Sequence, residues 1–182
     1  WHKAKFTLTA SAGRNGSGNK YYYAGDKEVS LDNGLVGSAY AANADTSSYT
    51  YYVMVCSGAG LCSKSSNYTI KLDTQKPGVP TITYNGGSNS CSWKNNYNLT
   101  LSSTDNIGVA YYQVDWDNDG VSNYDVSSNF IPWSGYDSHN NRFRAVDHAG
   151  NVDGWCAAQG MRVDSSEPLA ASLTYNSGSN TC

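Results

Sequence analysis

Charge is scarce in this sequence. Asp, Glu, Lys and Arg make up 15% of its 182 residues, against about 25% in an average globular chain. The little charge present leans acidic: 12 Lys and Arg against 15 Asp and Glu, for a net charge of −3. No basic field is available to hold a nucleic-acid backbone, so nucleic acid is not expected as a partner. Long apolar runs are missing as well. Nothing approaches the roughly 20 residues of a membrane-spanning helix, so no membrane insertion is expected in this segment. Enzyme signatures are absent: no Gly-x-Ser-x-Gly, no His-Glu-x-x-His and no phosphate loop. Cys-x-x-Cys is absent too, and His2, His139 and His148 are scattered, which excludes a zinc-type ligand pattern. No window of helical length repeats near 3.6 residues. The one Ala-rich stretch, 38–44, is too short to nucleate a helix on its own.

What the chain does have is aromatic and hydroxyl-bearing side chains. Tyrosine occurs 15 times against 5 Trp and 3 Phe, and hydrophobic residues reach 39%, enough for a core. Tyr, Val, Ile and Leu recur throughout, which argues against disorder. The chain starts at Trp1 and stops at Cys182 within a Gly/Ser/Asn stretch, and it reads as a piece of a longer protein.

An internal repeat organises the sequence. Residues 83–91 (TYNGGSNSC) recur as 174–182 (TYNSGSNTC), identical at seven of nine positions with an offset of 91. Asp73-Thr74-Gln75-Lys76-Pro77 recurs as Asp164-Ser165-Ser166-Glu167-Pro168. Trp1 and Trp93 head similar segments, Tyr21-Tyr22 matches Tyr111-Tyr112, and Ala59-Gly60 matches Ala149-Gly150. A period of this size is one small domain. The Asp-x-x-x-Pro segments are the expected linkers, which gives units at 1–77 and 78–168, with 169–182 opening a third. Trp1 matches Trp93, so the first unit is expected to lack the strand equivalent to 81–84. The segment 169–182 is then an orphan first strand, with strand alternation in Ala170-Ala171-Ser172-Leu173-Thr174-Tyr175. It either leads away from the second unit or adds to the open edge of another copy's first unit.

Within each unit the pattern is strand-like. Phe6-Thr7-Leu8-Thr9 and Leu99-Thr100-Leu101-Ser102 alternate apolar with hydroxyl. Further strands are expected at 51–55, 68–72, 109–116, 142–146 and 161–163. Turn residues separate them, as at Asn118-Asp119-Gly120 and Ala149-Gly150-Asn151. About seven strands in some 90 residues is the count of an immunoglobulin-like sandwich. The expected fold class is all-β, two tandem β-sandwich domains meeting near 76–80.

The run Phe143-Arg144-Ala145-Val146-Asp147-His148-Ala149-Gly150-Asn151 resembles the aromatic-x-Ala-x-Asp-x-Ala-Gly-Asn strand and hairpin of bacterial immunoglobulin-like and fibronectin-III-like surface repeats. Such repeats are often followed by an Asp-x-x-x-Pro linker, here at 164–168. Asp105-Asn106-Ile107-Gly108-Val109 is similarly typical. The resemblance covers the second unit well. The first unit carries Ser57-Gly58-Ala59-Gly60 where the Asp and Asn would stand. It implies an exported bacterial multidomain protein and names no activity, because sites are added to such folds independently. Asp147 itself reads as a turn-forming carboxylate.

Five cysteines in small tandem domains point to an oxidising compartment, extracellular or at the cell surface. Cys56 and Cys62 flank the hairpin of the first unit, and a clip between them is the favoured disulfide. Cys91 with Cys156 is a second pairing, and Cys156 with Cys182 its alternative.

Two constellations could bind a ligand. Asp115-Trp116-Asp117-Asn118-Asp119-Gly120 has the spacing of half a calcium loop, with Asp115, Asp117 and Asp119 as ligands. Position twelve of that template is Val126 rather than Glu, and Asn-Asp-Gly is a strong hairpin signal, so a metal-free turn is favoured. Trp116, Trp133, Tyr124, Tyr136 and Trp155 could present an aromatic platform to sugar rings, although a sandwich of this type usually buries a Trp. Together these features describe a non-catalytic stalk, spacer and adhesive segment with no cofactor other than the calcium candidate. Its expected partners are neighbouring repeats of the same chain and host or environmental glycans or proteins. The alternatives are a glycan-binding module and an accessory domain of a secreted hydrolase.

Overall fold

The computed structural model describes residues 1–13, 18–24, 35–36, 39–85, 91–134 and 136–172. The described residues form strands and no helix. In chain order the strands are β1 (Phe6–Thr9), β2 (Asn19–Ala24), β3 (Leu35–Val36), β4 (Ala39–Ala42), β5 (Thr46–Ser57), β6 (Cys62–Lys64) and β7 (Tyr68–Leu72). There follow β8 (Thr81–Tyr84), β9 (Tyr97–Ser102), β10 (Val109–Asp115), β11 (Tyr124–Val126), β12 (Phe130–Trp133), β13 (Tyr136–Asp147) and β14 (Gln159–Asp164). Among the described residues, β1–β7 pair only with one another, as do β8–β14.

The second set has two antiparallel sheets, ordered β12-β9-β8 and β11-β10-β13-β14. This is the strand order of an immunoglobulin-like sandwich of fibronectin-III type. The alternation in β9 is complete: Tyr97, Leu99 and Leu101 are buried while Asn98, Thr100 and Ser102 face out. Those three pack with Tyr84 and Ile131 against Tyr112, Val114, Phe143, Ala145, Met161 and Val163 of the other sheet. Burying an apolar side chain of this size contributes about 1.5–3 kcal/mol, so this interior holds the sheets together.

In the first set β1 pairs β4, and β5 carries β2, β6 and β7, with β3 beyond β2. Ala42, Ile70 and Leu72 are buried there, with Phe6, Leu8 and Tyr51 packed against them. The Ala-rich stretch 38–44 contains β4, held as a strand by its ladder to β1, Thr7 opposite Ala41 and Leu8 opposite Tyr40.

The repeat is visible in hydrogen bonds. His2 N donates to Lys71 O at 2.9 Å and Asp73 N to His2 O at 3.0 Å; Lys94 N donates to Arg162 O at 3.0 Å and Asp164 N to Lys94 O at 2.9 Å. Between β7 and β8 the chain runs from 73 to 80 without helix or strand. Pro77 and Pro80 are buried. Gly78 N donates to Thr104 O at 2.8 Å, and Ser103 Oγ donates to Gly78 O. Beyond β14, residues 165–172 form no strand and Leu169 is 96% exposed. Residues 173–182, and with them the rest of the expected orphan strand and Cys182, lie outside the described residues.

Candidate functional site

Three aspartates from three separate segments converge where β7 leaves the first set. Asp73 follows β7, Asp105 lies in the β9–β10 loop, and Asp147 ends β13. One carboxylate oxygen of each lies within 4.8 Å of those of the other two. Asp73 and Asp147 are buried and Asp105 is half-buried. Asp147 shapes its turn as expected: Asn151 N donates to Oδ1 and Asn151 Nδ2 to Oδ2, both at 2.8 Å. The same Nδ2 reaches Asp73 O at 2.9 Å and so joins the hairpin to the chain leaving β7. Asp105 Oδ2 accepts Ile107 N at 2.8 Å and Gly108 N at 2.7 Å, a turn that needs Gly108 at φ +136°. Asp73 Oδ1 accepts Gln75 N at 3.2 Å. The remaining oxygens, Asp73 Oδ2 and Asp105 Oδ1, are buried with no hydrogen-bond partner. Burial raises the Asp73 pKa above the ordinary carboxylate value, the Gln75 amide offsets part of this, and repulsion from Asp105, Asp147 and Asp45 adds to it.

Asp45, between β4 and β5, braces the same junction. Its Oδ1 accepts Thr74 N at 2.9 Å and Thr74 Oγ1 at 3.0 Å; its Oδ2 accepts Gln75 Nε2 at 3.3 Å and Asn106 Nδ2 at 3.2 Å. Desolvation pushes its pKa up, but these donors outweigh it and hold the carboxyl below its usual value. Lys3 Nζ donates to Gly150 O at 2.6 Å, and the Trp1 and His148 rings stack with centroids 5.7 Å apart.

The sequence-derived calcium candidates also cluster, with ligand atoms of Asp115, Asp117 and Asp119 within 4.8 Å of one another. Here a cation is already in place. Arg142 donates Nε at 3.1 Å and Nη2 to Asp115 Oδ2, which also accepts Gly120 N at 3.0 Å, while Oδ1 accepts Asp119 N at 3.2 Å. Asp115 is fully buried, and desolvation alone would raise its pKa. The Arg142 and Gly120 donors, the Arg142 charge and Asp117 together lower it. Asn118 adopts φ +62°, tolerable for Asn, at the apex of this turn.

Among the described side chains, ring contacts link Trp116, Tyr124 and Trp133, and Trp155 lies outside that row. Trp116, 43% exposed, stacks on His139 at 5.8 Å and meets the edge of Tyr124 at 6.1 Å. Tyr124 continues to Trp133 at 6.4 Å, and both rings pack against the core. Trp155 is covered instead by Arg144 at 4.3 Å and Arg142 at 5.7 Å. Tyr136 opens β13 opposite Asp164.

Cys56 and Cys62 are joined, directly opposite each other on β5 and β6. The pairing of Cys91 with Cys156 is corrected: the two are not bonded. Cys156 is buried in the core, where its Sγ accepts Phe143 N at 3.2 Å, while Cys91 is exposed beside Gly160. Burial raises the Cys156 thiol pKa, only partly offset by the Phe143 amide.

Sequence reasoning did not find Asp73 and Asp105 as site residues. Each opens a short turn, and only the fold carries them to Asp147. No protein-family model matches the chain, and no curated protein matches it. Among solved structures the chain is similar to the fibronectin(III)-like modules of Clostridium thermocellum CbhA, at 12% identity and a TM-score of 0.41, covering 90% of this chain and 87% of that one.

Proposed function

We propose that the chain is a non-catalytic, extracellular tandem module, a stalk or spacer with adhesive contacts in a bacterial surface or secreted protein. Its units are 1–77 and 78–168, with a further unit opening at 169. The observation that carries this reading is the bracing of the segment between the sheet sets. Asp45 holds Thr74, Gln75 and Asn106, Asn151 holds Asp73 O, and Thr104 O and Ser103 Oγ hold Gly78. A spacer transmits position only when its connections are stiff, and this connection is tied on both sides rather than left as a free coil. The Cys56–Cys62 disulfide supports an oxidising compartment. Small-angle scattering of the full chain tests the reading. One fixed arrangement of the two units should fit the data across a range of salt. A spread of arrangements as wide as a flexible linker allows would overturn it. Glycan binding is a second reading, favoured by the exposed Trp116 ring on its His139 base. A glycan array with no binding at millimolar concentration removes it.

A further inference from the structure

The two carboxylate clusters differ in one respect. Arg142 neutralises the turn cluster, whereas among the described residues none of Asp73, Asp105 and Asp147 makes an ion pair. Lys3, the ammonium close to the 147–151 hairpin, donates to Gly150 O. Asp73 is fully buried, yet its Oδ2 has no donor; Asp105 Oδ1 is in the same condition. A buried carboxylate oxygen without a partner is costly, and natural proteins rarely retain one without a ligand, water or functional role. In both residues the other oxygen is fixed by backbone amides, so the unpartnered oxygen is held in place rather than free to turn to solvent.

We propose that Asp73, Asp105 and Asp147 form a divalent-cation site, best suited to calcium, that ties the exit of the first unit to the base of the second. The size fits. Three atoms within 4.8 Å of one another enclose a point at most about 2.8 Å from each, and a slight closure reaches the 2.3–2.6 Å of a calcium–oxygen bond. All three ligands are hard oxygens, which excludes preference for a thiophilic or imidazole-seeking metal. Magnesium would need closure to about 2.0–2.1 Å and near-octahedral order, a harder demand on three separate segments. Binding would convert mutual repulsion into a common attraction, and Asn151 already aligns Asp147 with the chain at Asp73. The site's mechanical role rests on the spacer reading; the site itself does not.

The test titrates the EDTA-stripped full chain with calcium by calorimetry and follows thermal unfolding in parallel. Wild type should bind one ion at this site with a dissociation constant of about 1 mM or tighter, in the range of extracellular calcium modules, and its unfolding temperature should rise with calcium. Asp105→Asn keeps an oxygen for the Ile107 and Gly108 amides. It should weaken binding at least about tenfold and abolish most of the calcium-dependent thermal shift. Asp117→Ala, in the Arg142-neutralised turn, should leave both unchanged. If wild type neither binds at 10-fold above that range nor shifts, the site is refuted. It is refuted equally if Asp117→Ala, and not Asp105→Asn, removes the effect. Should Asp105→Asn not fold, wild type and Asp117→Ala alone decide between the two clusters. Scattering with and without calcium separates the two claims: binding with a flexible junction sinks the spacer reading and keeps the site, and a stiff junction without binding does the reverse.

Discussion

Replacing Arg142 by Gln should have a larger effect than its position near the surface suggests. Its partner Asp115 is fully buried, and both Arg142 nitrogens converge on one oxygen, Oδ2. Removing one partner of a buried pair costs about 3–5 kcal/mol, because a charge remains uncompensated. The lower end applies here, since the Asp119 and Gly120 amides stay bonded to the carboxylate. Losing the Arg142 contact with the Trp155 ring adds about 0.5–1 kcal/mol. The expected loss is therefore about 3.5–4 kcal/mol, and at ~4–8 °C per kcal/mol for a cooperative unit of about 60–100 residues the unfolding temperature falls by at least about 14 °C. Tryptophan fluorescence reports the effect, because four of the five tryptophans, 93, 116, 133 and 155, lie on the same side of the 73–80 segment as Arg142. The pH dependence gives a second readout with opposite signs. In wild type the Asp115 pKa is depressed, so its contribution is present above the unfolded value of about 3.9 and is lost as pH falls through the folded pKa. In Arg142→Gln desolvation dominates and the folded pKa rises, so the variant gains stability as pH falls from neutrality toward 4. The double variant Asp115→Asn/Arg142→Gln should recover more than half the loss. A loss below about 1 kcal/mol, the size of an exposed ion pair, with the wild-type pH slope retained, would refute the reasoning.

Gly108→Ala should cost about 1–3 kcal/mol through backbone strain alone, because φ is +136° while the nearest atom to a new Cβ is the His148 ring at a comfortable 3.8 Å; chemical denaturation measures it. Breaking the Cys56–Cys62 bond by Ser substitution at both positions should destabilise the first unit by about 2 kcal/mol, the chain-entropy value for so short a loop, read from the melting of reduced and oxidised protein. Asp45→Asn should loosen the junction at neutral pH. The Asp45 pKa is depressed, so in wild type the same loosening should appear only as pH falls below about 4; hydrogen exchange at Thr74 and Gln75 reports it.

Strands were legible where burial is one-sided. In β9 the apolar and hydroxyl residues alternate because one face meets the core, and β7 falls at 68–72 as its alternation implies. The 38–44 stretch was not legible, since alanine has no strong strand signal and the β1 ladder decides its conformation. Cys56–Cys62 was legible because a hairpin places neighbours in sequence opposite each other. Cys91 and Cys156 have no such local constraint, and the core and the Phe143 amide claim Cys156. Trp155 read as one ring of a candidate sugar platform. Its covering arginines come from β13 and are visible only once strands are paired. The aspartate junction was least legible, because its members stand 32 and 42 residues apart and each looks locally like a turn residue.

The same repeat explains why the carboxylates gather on one side of the junction. Ser57 N to Leu61 O at 2.8 Å and Gly60 N to Ser57 O at 3.0 Å reproduce Asp147 N to Asn151 O at 3.2 Å and Gly150 N to Asp147 O at 3.1 Å. Gly60 and Gly150 even share φ, at 83° and 82°. The turn is thus one structure with two braces. In the first unit the Cys56–Cys62 bond closes it at the position where the second unit has only the Val146–Val152 bridge. In the second unit the Asp147 carboxylate and Asn151 amide close it from within. A brace made of a carboxylate leaves a negative charge at the end of the unit; a disulfide leaves none. The linker aspartates are equivalent by the same repeat, for Asp164 Oδ1 accepts Ser166 N at 2.9 Å as Asp73 Oδ1 accepts Gln75 N. Asp73 is buried because the Asp105 and Asn151 loops close over it, whereas Asp164 is exposed. Equivalent sequence therefore does not mean equivalent chemistry. Asp164→Asn should leave calcium affinity and calcium-dependent melting at wild-type values, while Asp73→Asn, the same change in the same motif, should weaken both. Equal effects from the two would mean that any ion follows the motif rather than the junction.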